Sequence, residues 1–218
     1  MQCHSLSYLH VGRWKAVSGT DQALSLVRVL DAAELLFAGR GFDSVTLRDI
    51  ASSIGLTHAA LYYHFPGGKE ALFAEVMERN IRRHGAGLAA SMDAGGTNLR
   101  GKLRGAAAWL LSQPPMDLIR MAESDLKALR PEVARRIMNL VYELILKRLG
   151  DVIEAARESG EVGACDPGLL AGGILGLVES LHSVPVAIVK RDRNAMACEL
   201  IDVVLKGIDY REESNVSG

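Results

Sequence analysis

The sequence predicts an all-α protein, and three observations carry that expectation. Apolar residues make up 49% of the chain and are dominated by Leu, Ala, Val and Ile, while aromatic residues reach only 5%. Proline occurs six times in 218 residues, so long helices are permitted. Apolar positions also recur at i, i+3, i+4 and i+7, the spacing of one buried helical face. A chain of this length and composition can bury a sizeable core.

Met1 to Thr20 mixes His4, Tyr8, His10, Arg13, Trp14 and Lys15 without helical periodicity and reads as a flexible N-terminal extension (1–20). Arg13 and Lys15 could touch DNA, but two cations are too few to argue for an arm. From Asp21 to about Arg40 a first helix places Leu26, Leu30, Ala33 and Phe37 on one stripe, and Gly41 supplies its stop.

The run Thr46-Leu-Arg-Asp-Ile-Ala-Ser-Ser-Ile-Gly-Leu-Thr-His-Ala-Ala-Leu-Tyr-Tyr-His-Phe65 then reads as two short helices around a glycine turn. Leu47, Ile50, Ala51 and Ile54 share one face, Thr46 with Asp49 forms a capping pair, and Gly55 ends the first helix. Thr57 can cap the next helix through the amide of Ala59 or Ala60. A helix-turn-helix is the product, a motif whose second helix enters a major groove of DNA.

A further helix is expected from near Gly67 to about His84, with Leu72, Phe73, Val76, Met77 and Ile81 as its apolar face, linking a small head (21–84) to a helical body (85–218). The loose stretch Asp93-Ala-Gly-Gly-Thr97 marks a loop. Body helices are expected at about Asn98–Ser112, Pro115–Leu129, Pro131–Ser159, Pro167–Val189 and Asp192–Asp209, most starting close to a Pro or Asp. The third carries Val133, Ile137, Leu140, Val141, Leu144, Ile145, Leu149, Val152 and Ile153, so it should be central. The fourth holds Gly172, Gly173 and Gly176 in its interior, at a cost of about 1 kcal/mol each relative to alanine. Close approach of another helix would compensate, from the same subunit or from a second one.

Five blocks in order carry a family resemblance: Val29-Leu-Asp-Ala-Ala-Glu-Leu-Leu-Phe37 with Gly41-Phe42, Thr46 to Ala51, Gly55-Leu-Thr57, Leu61-Tyr-Tyr-His-Phe65 and Lys69-Glu-Ala-Leu-Phe73. Together they resemble the tetracycline-repressor (TetR) family over roughly residues 21–83. Beyond that span the likeness is one of length and helix count. Pro66-Gly67-Gly68 departs from the usual loop before Lys69. The resemblance implies a transcriptional regulator, most simply a repressor, that reads a roughly palindromic double-stranded DNA operator as a homodimer. It also implies that the last two long helices form a four-helix dimer interface, and that a small-molecule effector, expected to be apolar, acts through the body.

Candidate DNA-contacting residues follow. Thr46 and Thr57 read first as caps, yet a capped helix start also offers free amides to phosphate. Arg48 can donate to guanine or a phosphate, and His58 and Ala59 stand where side chains reach base edges. The resemblance further implies that Tyr62 faces DNA, that His64 lies near its backbone, that Phe65 packs inside and that Lys69 contacts phosphate. Net charge is −1, and residues 21–83 hold seven Arg and Lys against eight Asp and Glu, so the electrostatic share of affinity should be modest.

In the body, Trp109, Met121, Tyr142 and His182 offer adaptable or amphipathic surfaces and are the candidate walls of a mainly apolar effector cavity, alongside the plain alternative of core packing. No enzyme, metal or cofactor is expected. The six His are scattered, Gly67-Gly68-Lys69 lacks the flanking residues of a P-loop, and no His-Glu-x-x-His or Gly-x-Ser-x-Gly run occurs. Cys3, Cys165 and Cys198 form no CxxC pair, and no charge-free run approaches 18 apolar residues, so a soluble cytoplasmic protein is expected. A rival reading is a DNA-bound helical interaction factor controlled by a protein partner; an exposed apolar patch without an enclosed cavity would favour it.

Overall fold

The computed structural model describes residues 19–115, 121 and 124–215, and among them there are helices and turns but no strand. Of the extension expected at 1–20, residues 1–18, with Arg13 and Lys15, lie outside the described residues, and residues 19 and 20 belong to the first helix; of the helix expected at Pro115–Leu129, residues 116–120, 122 and 123 lie outside them. The described end of that segment is a 3₁₀ turn, Asp125–Ala128.

Helix α1 (Gly19–Ser44) is interrupted where the sequence placed a stop, at Gly41, whose φ of 75° and ψ of 170° belong to a region only glycine occupies comfortably. Its buried face is centred on Val29, Ala33 and Phe37 with Leu30 beside them, so Leu26, expected on the stripe, falls at an exposed edge. Helices α2 (Leu47–Ser53) and α3 (His58–His64) follow and pack on one another. Phe37, Phe42 and Phe73 lock α1 to the next helix, with ring centroids 4.9 to 6.2 Å apart.

Helix α4 (Gly68–Ala94) runs ten residues past the expected end at His84, so the head–body boundary expected there falls inside a continuous helix. Gly85 and Gly87, inside this continuation, are points of close approach. A Cβ on Gly85 would lie 2.9 Å from Leu144, and one on Gly87 would lie 2.0 Å from the Trp109 ring. Helix α5 (Leu99–Ser112), capped by the Asn98 side chain on the Gly101 amide, packs along α4.

The central rod consists of α6 (Pro131–Val141), a π turn (Tyr142–Leu146) and α7 (Lys147–Glu158). Val133, Ile137, Val141, Ile145, Leu149 and Ile153 form its buried line. An i+4 repeat drifts around an α-helix by about 40° per step, and the wider π turn absorbs part of that drift. Tyr142 stands at this turn and is 55% exposed, so the described residues do not enclose it in a cavity wall as expected.

Helix α8 (Pro167–Ser180), capped by Asp166, ends earlier than the expected Val189. A 3₁₀ turn, Leu181–Ser183, leads to Val184, which is extended because it precedes Pro185, and a single helical turn, Val186–Val189, follows. Arg193 ties this bend down by donating to the carbonyls of Leu181 and His182 at 3.0 and 3.1 Å. Helix α9 (Arg193–Asn215) then packs on α5 and α8, and its Asp202 receives both Arg100 and Arg104 of α5.

Candidate functional site

In the head, local hydrogen bonds fix the recognition hairpin. The Thr46 hydroxyl accepts from the Asp49 amide at 3.1 Å while the Asp49 carboxylate accepts from the Thr46 amide at 2.9 Å, a reciprocal capping box. Hydrogen bonds from the Thr46 side chain and then its backbone hold the Asp49 carboxyl below the usual carboxylate range. At the far end, the Leu56 amide donates to Ala51 O at 2.9 Å and the Gly55 amide to Ser52 O at 3.3 Å, with Gly55 at φ 71°. These two bonds close a Schellman motif, which sets the angle between α2 and α3. Thr57 restarts the chain by accepting from the Ala60 amide at 3.2 Å.

Leu61 and Phe65 point into the core, and the remaining face of α3 is left to solvent. His58, Ala59, Tyr62 and Tyr63 are all exposed, as are Arg48 and both capping threonines. Neither tyrosine is a core aromatic. His58 meets Tyr62 edge to face with centroids 4.9 Å apart, so imidazole and phenol form one unit at the front of the helix, and His64 meets Tyr63 in the same way at 5.7 Å. Thr46, Arg48, Thr57, His58, Ala59 and Tyr62 are thus accessible together, with half-buried His64 behind them.

Lys69 has a second task that sequence reasoning missed. Its ammonium donates to Phe42 O at 3.1 Å and to Asp43 O at 3.5 Å, and it sits 4.2 Å above the Phe42 ring. It therefore clips the end of α1 to the start of α4. The same corner is gripped from the body. Asp125, only 5% exposed, accepts the Phe42 amide at 3.0 Å through Oδ1, and Glu70 takes the Arg130 amide and Nε, each at 2.6 Å. Between these grips a cleft of about 50 Å³ is lined by Glu34, Phe37, Phe73, Met77, Asn80 and Met121 among others.

The four residues expected to wall one cavity come from four separate segments of the body. Met121 is buried at the head–body cleft, Trp109 lies flat on Gly87, His182 sits in the turn after α8, and Tyr142 faces solvent. His84, passed over as a helix end, is instead 1% exposed inside the body. Its signal was available: it extends the α4 stripe of Met77, Ile81 and Leu88 at helical spacing. Burial, aided by Arg83 and opposed by Glu34, pushes its imidazole down to about 4.

A pH dependence follows. Between pH 6.5 and about 4 the unfolded imidazole is protonated while the folded one is not, so the unfolded state binds more protons and stability falls as pH falls. Each pH unit crossed in that window costs about 1.4 kcal/mol, so the loss should reach a few kcal/mol. Urea titrations at pH 7 and pH 4.5 should show a smaller difference for His84→Phe than for the parent chain; equal differences would contradict the assignment.

Comparison with known proteins agrees with this architecture. Residues 29–76 match the family described as bacterial regulatory proteins, tetR family, and residues 97–209 match the C-terminal domain of AefR-like transcriptional repressors. The HTH-type transcriptional repressor AcnR of Corynebacterium jeikeium is 36% identical over 67 residues, which is 31% of this chain and 35% of AcnR. The match thus spans about a third of that relative. The fatty acid degradation regulator FadR from Bacillus halodurans superposes with a TM-score of 0.65 at 21% identity, covering 83% of this chain and 98% of its own. AibR, solved in complex with isovaleryl coenzyme A and operator DNA, superposes at 0.67 with 19% identity, covering 83% and 97%. Among the described residues no helix is long and apolar enough to cross a membrane.

Proposed function

The chain belongs to the TetR family of bacterial regulatory proteins, and from that premise we propose that it represses transcription as a homodimer that reads a palindromic operator and releases it on binding a small effector. The observation that carries the reading is the exposed α3 face, where His58, Ala59 and Tyr62 share one side with Arg48 behind a turn fixed by two caps. A rigid, solvent-facing short helix is what major-groove reading needs. Dimerisation through α8 and α9 is supported by their open apolar side. In that arrangement two recognition helices about 34 to 36 Å apart, or a multiple of it, would enter successive major grooves. An effector is supported by the AibR complex with isovaleryl coenzyme A and by the cleft at the head–body grip.

Base-reading and phosphate-holding residues should separate under mutation. His58→Ala is expected to relax base preference, because a groove contact carries sequence information. Lys69→Ala removes one cation per head, so the salt slope of log K should fall by about 2 for the dimer, with similar losses on specific and random DNA. Sequencing of DNA selected by the purified protein and by each variant tests both. A Lys69→Ala protein that changed base preference and kept its salt slope would reverse the assignment. The melting temperature of the Lys69→Ala protein should fall slightly as well, because the Phe42 and Asp43 carbonyls lose a charged donor.

A further inference from the structure

The interior of the body holds polar nitrogens that no hydrogen bond satisfies among the described residues. Arg83 Nε, both ring nitrogens of His84, Trp109 Nε1 and His182 Nε2 are buried without a hydrogen-bond partner among the described residues. They come from α4, from α5, which packs along it, and from the turn after α8. Trp109 of α5 lies on Gly87, one turn from His84, and His182, in the turn after α8, is within electrostatic reach of the His84 ring. Native interiors rarely leave such groups alone, so an orphaned cluster of this size points to an occupant.

The donor inventory says what kind. Indole Nε1 and guanidinium Nε only donate, and each neutral imidazole brings one N–H and one acceptor nitrogen. A ligand ammonium would leave the indole and guanidinium donors unmet, whereas a carboxylate is acceptor-only, with room for about four hydrogen bonds. Charge agrees with this. Glu34, the carboxylate that acts on His84, is already engaged by Arg83 at 2.7 Å and by Arg79 at 3.2 Å. One turn from His84 along α4, Asn80 lines the head–body cleft with Phe37, Phe73, Met77 and Met121. That cleft is the natural place for an apolar tail.

We propose that Arg83, His84, Trp109 and His182 form the head-group site for an apolar carboxylic acid whose tail enters the head–body cleft. The inference rests on the effector reading above and replaces the purely apolar molecule expected from sequence with an amphiphilic acid. At about 50 Å³ the cleft holds little more than a water or two, so a tail must widen it and thereby press Met121 and Asp125 away from α1. Binding also carries a proton. The groups acting on His84 are Arg83 of its own helix, Glu34 of α1 and His182 of the turn after α8, while α5 supplies Trp109 and the π turn faces neighbouring Gly85 with Leu144. A carboxylate added to this set favours the imidazolium, so the site takes up a proton as it fills.

The test uses two matched pairs of probes on the full chain: octanoate with octanamide, and 4-phenylbutyrate with 4-phenylbutyramide. Calorimetry at pH 6 in two buffers of different ionisation enthalpy should show each acid binding at least tenfold tighter than its amide, with net proton uptake. His84→Gln, which keeps hydrogen bonding but does not titrate, should bind the acids without that uptake, and Trp109→Phe should bind them several-fold more weakly. Acids that bind no tighter than amides, or a His84→Gln protein with undiminished uptake, would overturn the proposal, as would absence of binding by all four probes. The effector reading fails separately: an acid that fills this site yet leaves operator affinity unchanged sinks that reading and spares the site, and an amide that releases operator does the reverse.

Discussion

Gly176→Leu is expected to convert the protein to a monomer and to abolish operator binding at concentrations where the parent dimer holds DNA. Gly172, Gly173 and Gly176 stand on the open side of α8, where a Cβ would meet no heavy atom within 4 Å among the described residues. Leu169 is 78% exposed beside them, and Val203 of α9 is 62% exposed. The bland reading of the sequence, tight glycine packing inside one subunit, is therefore not what the fold shows. Three helical glycines cost about 1 kcal/mol each relative to alanine, and no close packing among the described residues offsets that cost. A second copy seated on this face would. A leucine there overpacks by about 1 to 3 kcal/mol, and two-fold symmetry counts it twice. Association should weaken by about 30-fold to 20,000-fold at about 1.4 kcal/mol per decade. Sedimentation equilibrium and operator titration would report both losses. A Gly176→Leu protein that stays dimeric at nanomolar concentration would move the interface elsewhere.

The head was legible because its determinants are local. Thr46 with Asp49, Gly55 and Thr57 fix their turns through partners three to five residues away, and such pairs can be read from spacing alone. Where distant residues decide, the same reasoning failed. The helix expected to end at about His84 runs on to Ala94, with Gly85 and Gly87 seated against Leu144 and Trp109, residues far away in sequence. Tyr142 follows Leu140 and Val141 in an apolar stretch of sequence, yet it is 55% exposed at the start of the π turn. His84 fits the helical stripe by spacing, while its burial without partners depends on α5 and the turn after α8. Lys69 shows both sides at once: its position at the start of α4 is evident in sequence, and its bonds to carbonyls 26 and 27 residues earlier are not.

Asp125→Ala is expected to be the most damaging single change at the head–body junction. Asp125 and Phe42 are 83 residues apart, and both are buried, so the Phe42 amide has no access to water once the carboxylate is removed. Leaving a buried donor unpaired costs about 1 to 3 kcal/mol, which for a chain of this size lowers the melting temperature by about 2 to 12 °C. Asp125→Asn retains an acceptor oxygen and should lose less. Arg130→Ala provides the contrast: its pair with Glu70 lies at the surface of the same corner, where such bonds contribute at most about 1 kcal/mol. The two grips should also differ in reach. Phe42 follows the Gly41 break and its carbonyl holds Lys69, so freeing its amide loosens the end of α1 and the start of α4 together. Hydrogen exchange over residues 42–65 should therefore accelerate in Asp125→Ala, with weaker operator binding, and change little in Arg130→Ala. Equal exchange in both variants would mean that the buried carboxylate stabilises the body alone and does not position the DNA-reading head.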